Sequence, residues 1–165
     1  MKDIQNQEIE LEEGVDRFWY ATEAFLRATA DISKIFWPPK PLDASLVGIT
    51  NQRGKDLRRV FGVKDDSPLR SRTLRDHFEH FDERIDLWYA SSTHHNIIDS
   101  NLFPRRFLDK SIDYLRNFDP EEWVLFFAGD ELSLKPLIEA VEELAEKTRV
   151  PTLDNANKEE ENPTT

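Results

Sequence analysis

Apolar residues return at helical spacing from Ile9 to Phe36, with Leu11, Val15, Phe18, Phe25, Ile32 and Ile35 or Phe36 near one face and no interior breaker beyond Gly14. This pattern predicts a long amphipathic helix. The stretch "WPPKPLD" ends it, because consecutive prolines lack amide donors and push the preceding residue out of the α region. A loop and a shorter helix around Gly54 to Phe61 are expected next. In "DDSPLRSRTL", Ser67 is suited to cap a helix and Pro68 to its first position, where a missing N–H costs nothing. The predicted helix runs from Ser67 to about Ser91, with Leu74, Phe78, Phe81, Ile85, Trp88 and Tyr89 in one stripe.

"SSTHHNIIDSNLFPRR" reads as irregular, with a short extended piece at Asn96 to Ile98. A further helix is expected from about Pro104 to Asn117, its apolar face formed by Phe107, Leu108, Ile112 and Leu115. "WVLFFAG" is rich in β-favouring residues and Gly129-Asp130 is turn chemistry, so a hairpin is predicted: Trp123 to Phe127 against Glu131 to Leu132 or against an upstream partner. Ser133 then caps a last helix with Leu137, Val141, Leu144 and Ala145 on one side. The fold class expected is mainly α, an antiparallel helical bundle with a small β-hairpin near the C-terminal end. One domain would span residues 1–150, and the polar tail 151–165 is expected to be disordered. No internal repeat is visible.

At 165 residues, with 38% hydrophobic and 33% charged residues, the chain has the size and composition of one globular domain. No run approaches the roughly 20 apolar residues of a membrane span and the polar start lacks a signal region, so a cytoplasmic protein without membrane contact is expected. The absence of cysteine excludes disulfides, thiolate metal sites and cysteine nucleophiles. A net charge of −11 opposes long-range attraction to nucleic acid. Basic residues nevertheless cluster, as Lys55, Arg58 and Arg59, then Arg70, Arg72 and Arg75, then Arg105 and Arg106, leaving room for a polyanion ligand. The acidic run Glu8 to Glu13 reads as a solvated first helical turn.

The chain has no phosphate-cradling glycine loop, no HExxH and no nucleophile elbow. Neither His77 nor His80 has a Glu three positions earlier, as di-iron bundles require. A mononuclear metal site from His77, His80, Glu83 and His94 or His95 stays open, but solvated histidines are the better reading and no metal or cofactor is expected. His94 and His95 fall in a loop and read as a polar turn or as part of a cleft. Trp88 and Trp123 are expected in the core; Trp37, before two prolines, is the tryptophan expected to be exposed.

"LRDHFEH" carries the one constellation with chemistry. Asp76 and His80 are four apart, so on a helix the carboxylate can orient the imidazole and raise its pKa. Arg75 adds a permanently charged fork suited to a phosphate. The alternative is a charged helix face whose Asp76/His80 and His80/Arg84 pairs only solvate it.

The hexapeptide "RDHFEH", Arg75 to His80, resembles the RxxxxH motif of the HEPN superfamily. More widely, "SPLRSRTLRDHFEHFDERIDLWY", "NIIDSN" and "RNFDP" are similar to an uncharacterised bacterial family of HEPN-like proteins, a likeness spanning roughly Arg17 to Leu144. The resemblance implies an antiparallel bundle of four or five helices that forms a homodimer, with two motif helices meeting in one cleft. It implies a metal-independent ribonuclease of toxin, defence or RNA-processing type, or a relative that binds nucleotides or a protein partner instead. Carried over, Arg75 would stabilise the transferring phosphate, Asp76 would orient, His80 would be the acid or base, and Arg70 and Arg72 would help hold RNA. One departure matters: toxins modified by a nucleotidyltransferase antitoxin have Tyr two positions after the His, where this chain has Asp82. The acidic Glu79, Asp82, Glu83 and Asp86 also oppose RNA unless Arg70, Arg72 and a partner's basic residues offset them.

Overall fold

A computed structural model describes residues 2–72, 76, 78, 80–127 and 129–149. Helix α1, Lys2–Phe36, is the spine. Its most buried line is Trp19, Thr22, Leu26, Thr29, Ala30 and Ser33, whereas Leu11 is exposed. Phe18, Phe25 and Ile32 flank this line as half-buried packing against the core. The centre of the face is therefore partly small and polar. Thr29 returns its hydroxyl to the Leu26 carbonyl at 2.9 Å, so its burial leaves no donor unmet.

The prolines end α1 as expected, and a 3-10 turn, Ala44–Leu46, leads into α2, Val47–Phe61. Gly54 lies where α2 crosses the end of α1: a Cβ there would stand 2.6 Å from the Phe36 carbonyl oxygen and 2.7 Å from Cδ of Pro38. Only glycine lets the two backbones approach this closely. Gly62 closes α2 in the left-handed region at φ 62, its N–H turned back to the Arg58 and Arg59 carbonyls. Trp37 is half-buried against the core with the Arg58 guanidinium 5.3 Å from its ring centre, not exposed as the prolines suggested.

The expected helix from Ser67 to Ser91 is not continuous. Ser67 does accept from the Leu69 N–H, but Pro68–Arg70 is a 3-10 turn, and Ser71 is extended at φ −66, ψ 133. Leu69 is buried where this turn meets α1 and the last helix, so the chain must turn away after it. Asp76 and Phe78 are helical, His80 departs from helical dihedrals at φ −115, ψ 43, and α3 spans Phe81–Ser91. This break redirects the apolar stripe. Phe78 and Phe81 pack on Phe127 with ring centres 4.8 and 5.9 Å away, but Ile85 and Tyr89 are exposed. Leu74 lies outside the described residues.

The segment expected as a helix from Pro104 to Asn117 instead supplies strands. A 3-10 turn, Arg105–Phe107, is followed by β3, Asp113–Tyr114, and β4, Arg116–Asp119. β1, Ile97–Ile98, runs parallel to β3, and β2, Asn101–Leu102, runs parallel to β4. β5, Val124–Phe127, pairs antiparallel with β4 and with β6, Asp130–Ser133. The expected hairpin is thus the outer part of a four-stranded sheet ordered β2-β4-β5-β6, and β5 pairs with both candidate partners. Gly129, at φ 94, serves the tight turn between Phe127 and Asp130. Trp123 precedes β5 at φ 58 and is 40% exposed, so it is neither strand nor core.

Strand pairing of Asp113 to Asp119 takes up the segment expected to continue a helix from Pro104, and Asp119 ties the turn before it to the sheet. Its buried carboxylate accepts from the Arg105 N–H at 2.7 Å and from the Glu121 and Glu122 N–H groups at 2.8 and 3.1 Å. These hydrogen bonds, that from Arg105 foremost, hold its carboxyl below the usual range. α4, Leu134–Thr148, follows directly from β6 with Leu134 and Leu137 buried. The core joins α1, the sheet, Leu69 and α4 through Trp19, Leu26, Leu115, Phe118, Leu125, Phe127 and Leu137. The protein is mainly helical, with its small sheet toward the C-terminal end. No helix among the described residues is long and apolar enough to cross a membrane.

Candidate functional site

The motif segment is strung on backbone hydrogen bonds four residues apart. The Asp76 N–H donates to the Arg72 carbonyl at 2.9 Å, the His80 N–H to that of Asp76 at 3.0 Å, and the Arg84 N–H to that of His80 at 3.2 Å. Asp76 and His80 are both exposed, as the helical phase predicts. The carboxylate beside the imidazole, however, is Glu83, whose Oε1 lies 3.6 Å from Nδ1 of His80. Asp76 meets His80 through its main chain. A pair this exposed orients the ring weakly, by a few tenths of a kcal/mol.

Arg75, the proposed phosphate ligand, lies outside the described residues, as do His77 and Glu79. Arg70 is exposed and donates to the Asp65 carbonyl at 3.1 Å; Arg72 is half-buried. Elsewhere the basic clusters are largely spent on neighbours. Arg58 pairs with Asp65, Arg59 with Asp56, Arg105 with Glu131 and Arg106 with Glu121. This lowers the positive field that the basic clusters would offer a polyanion.

His94 and His95 occupy the irregular link after α3, and both are exposed. His95 takes the left-handed region at φ 47, and its ring lies 5.0 Å from that of Tyr89 and 6.1 Å from that of Trp88. Its N–H donates to the Ser92 hydroxyl, which donates in turn to Asp113; the indole N–H of Trp88 also donates to Asp113, at 2.9 Å. Those two donors, Ser92 first, hold the Asp113 carboxyl below its ordinary value. The loop histidines thus sit in a polar knot joining α3 to β3. Among the described residues, no three His, Asp or Glu side chains converge as metal ligands.

Between α3 and the sheet lies a cleft of about 490 Å³ that the sequence did not announce. Arg84 and Trp88 line it from α3, Asn117 and Phe126 from β4 and β5, and Arg105 and Glu131 from its rim. Nε of Arg84 and Oδ1 of Asn117 are buried without a hydrogen-bond partner among the described residues. Asn117 was hidden because polar residues in "LRNFDP" read as surface, and the run was expected to be helical. Alternation would not have found it either, because Asn117, Phe118 and Asp119 are buried in succession. Comparison with protein-family models, with curated proteins and with solved structures finds no match to this chain.

Proposed function

We propose that this protein is a HEPN-like, metal-independent endoribonuclease acting as a homodimer on cytoplasmic RNA, with Arg75, Asp76 and His80 forming its reactive centre. The observation that carries the reading is the placement of His80: exposed, at a break between two helical segments, with Glu83 beside Nδ1. An imidazole in that position is reachable by a substrate, which a core histidine is not. In the antiparallel bundle implied by the motif, the partner protomer brings a second copy of the segment to the same cleft. His80 accepts the proton of a ribose 2′-hydroxyl or delivers one to the departing 5′-oxygen. The 2′-oxygen attacks phosphorus, the P–O5′ bond breaks, and a 2′,3′-cyclic phosphate and a 5′-hydroxyl end result. Arg75 stabilises the added negative charge on the phosphoryl oxygens, and Arg70 and Arg72 hold the flanking strand. Asp76 acts through the backbone turn that it shares with His80, with Glu83 as the closer orienting carboxylate.

The deciding experiment incubates purified protein with total RNA in EDTA, comparing the wild type with Arg75→Ala and His80→Ala. Cleavage that leaves cyclic phosphate ends and falls about 100-fold or more in either variant is expected; wild-type cleavage no stronger than the variants' rejects the reading. A second reading, a non-catalytic module that binds a nucleotide, a protein partner or an antitoxin, is favoured by the exposed Leu87 and Tyr89 on α3, 58% and 66% accessible.

A further inference from the structure

The cleft beneath α3 carries a feature that the nuclease chemistry does not use. Its lining is mixed: Trp88, Leu108, Leu115 and Phe126 supply apolar and aromatic surface, and Arg84, Arg105, Asp113, Asn117 and Glu131 supply polar and charged groups. Its volume falls in the roughly 300–1,000 Å³ range of small-molecule sites. Two of its polar groups are left open. Nδ2 of Asn117 donates to the Phe103 carbonyl at 3.2 Å, which fixes the amide orientation, and leaves Oδ1, fully buried, without a donor. Nε of Arg84 is buried without an acceptor. Orphaned groups of this kind each cost desolvation free energy unless something in the cleft meets them.

The other charged groups are already engaged. Arg105 is held by Glu131 at 3.0 Å and lies over the Phe126 ring, 4.9 Å from its centre. Asp113 accepts from Ser92 and Trp88. Among the described residues, the cleft therefore offers one cation and one acceptor without partners, beside the aromatic rings of Trp88 and Phe126. A dianionic phosphate would meet Glu131 and Asp113 with one free guanidinium to hold it, which favours a single negative charge.

We propose that this cleft binds a flat, apolar monocarboxylate bearing an N–H group, its carboxylate on the Arg84 guanidinium and its N–H on Oδ1 of Asn117. The ring stacks among Trp88 and Phe126, and the two orphaned atoms set its orientation. The site stands independently of the ribonuclease reading, since His80, the residue on which that reading rests, does not line it.

Three matched probes test it: indole-3-acetate, which has both groups, tryptamine, which lacks the carboxylate, and naphthalene-1-acetate, which lacks the N–H. Calorimetry on the full chain is expected to give saturable one-to-one binding of indole-3-acetate, with tryptamine weaker by about tenfold or more and naphthalene-1-acetate by about threefold to tenfold. Side-chain nitrogen resonances of Arg84 and Asn117 should move with the same titration. Arg84→Met should abolish the preference for indole-3-acetate over tryptamine. Equal affinity for the three probes, no saturable binding by the wild type at millimolar concentration, or resonance shifts confined to other residues would each overturn the proposal. The comparison of probes on the wild type needs no variant to fold.

Discussion

Arg116, on β4, and Arg84, on α3, are both half-buried arginines, and they differ in what their guanidinium groups meet. Arg116 donates from Nε and Nη2 to Asp99 at 2.8 and 2.6 Å, from Nη2 to the Ser100 hydroxyl at 2.7 Å and from Nη1 to Glu23. It also stacks between Trp19 and Phe81, 5.2 and 5.4 Å from the ring centres. One side chain thereby ties α1, α3, β4 and the β1–β2 link together. Arg84 has no carboxylate partner among the described residues, and its Nε is buried unpaired. A buried charge whose donors are all met is part of the scaffold, whereas one left open is costly to the scaffold and available to a ligand.

The largest consequence falls on the scaffold. Arg116→Ala strands Asp99 and Glu23 and removes the slab between two aromatic rings. It should destabilise the fold by about 3 kcal/mol, the lower end for breaking a buried pair, because the two acids keep some solvent access. For a chain of this size the melting midpoint should drop by about 6–12 °C. Chemical denaturation showing a loss under about 1 kcal/mol would make Arg116 an ordinary surface residue.

Acid tests the same region with less force. Burial pushes the Asp99 carboxyl up, but the hydrogen bond and charge of Arg116 outweigh it and leave the group below its ordinary 3.8. Asp119 is depressed too, by the backbone N–H groups around it. With both folded values below the unfolded one, the unfolded chain binds more protons there, so their stabilisation is complete above pH 3.8 and is lost as pH falls through the folded values. Denaturation midpoints should decline steeply below pH 4 in the wild type and less steeply in Asp119→Asn. Parallel declines in the two proteins would remove Asp119 from the account.

The scaffold was only partly legible in the sequence, and the reasons are physical. Prolines and terminal glycines have one use each, so the end of α1 at "WPPK" and the close of α2 before Gly62 could be read directly. Thr29 could not be placed, because a buried hydroxyl that bonds back to its own helix looks polar in a pattern, and Thr22 and Ser33 are buried on the same face although they too read as polar. The run from Pro104 to Asn117 has helical spacing, yet pairing with β2 and β5 decides its state. On α3 the face turned inward is Phe81, Arg84 and Trp88, with Ile85 and Tyr89 exposed, and a charged Arg84 on that face is not something an apolar periodicity reveals.

The smallest expected effect is the most informative about the cleft beneath α3. Arg84→Met keeps an unbranched stem against α3 and the sheet while deleting a guanidinium whose Nε has no partner. The lost charge strands no carboxylate, since none is paired with it among the described residues, and the desolvation cost of the unpaired donor disappears with it. Stability should therefore move by no more than about 0.5 kcal/mol in either direction, near the noise of a surface substitution. A loss comparable to that of Arg116→Ala would mean that Arg84 is engaged as scaffold, and the contrast between the two arginines would fail. An unchanged midpoint joined to lost carboxylate discrimination would separate the two roles: Arg116 holds the molecule together, and Arg84 is held ready within it.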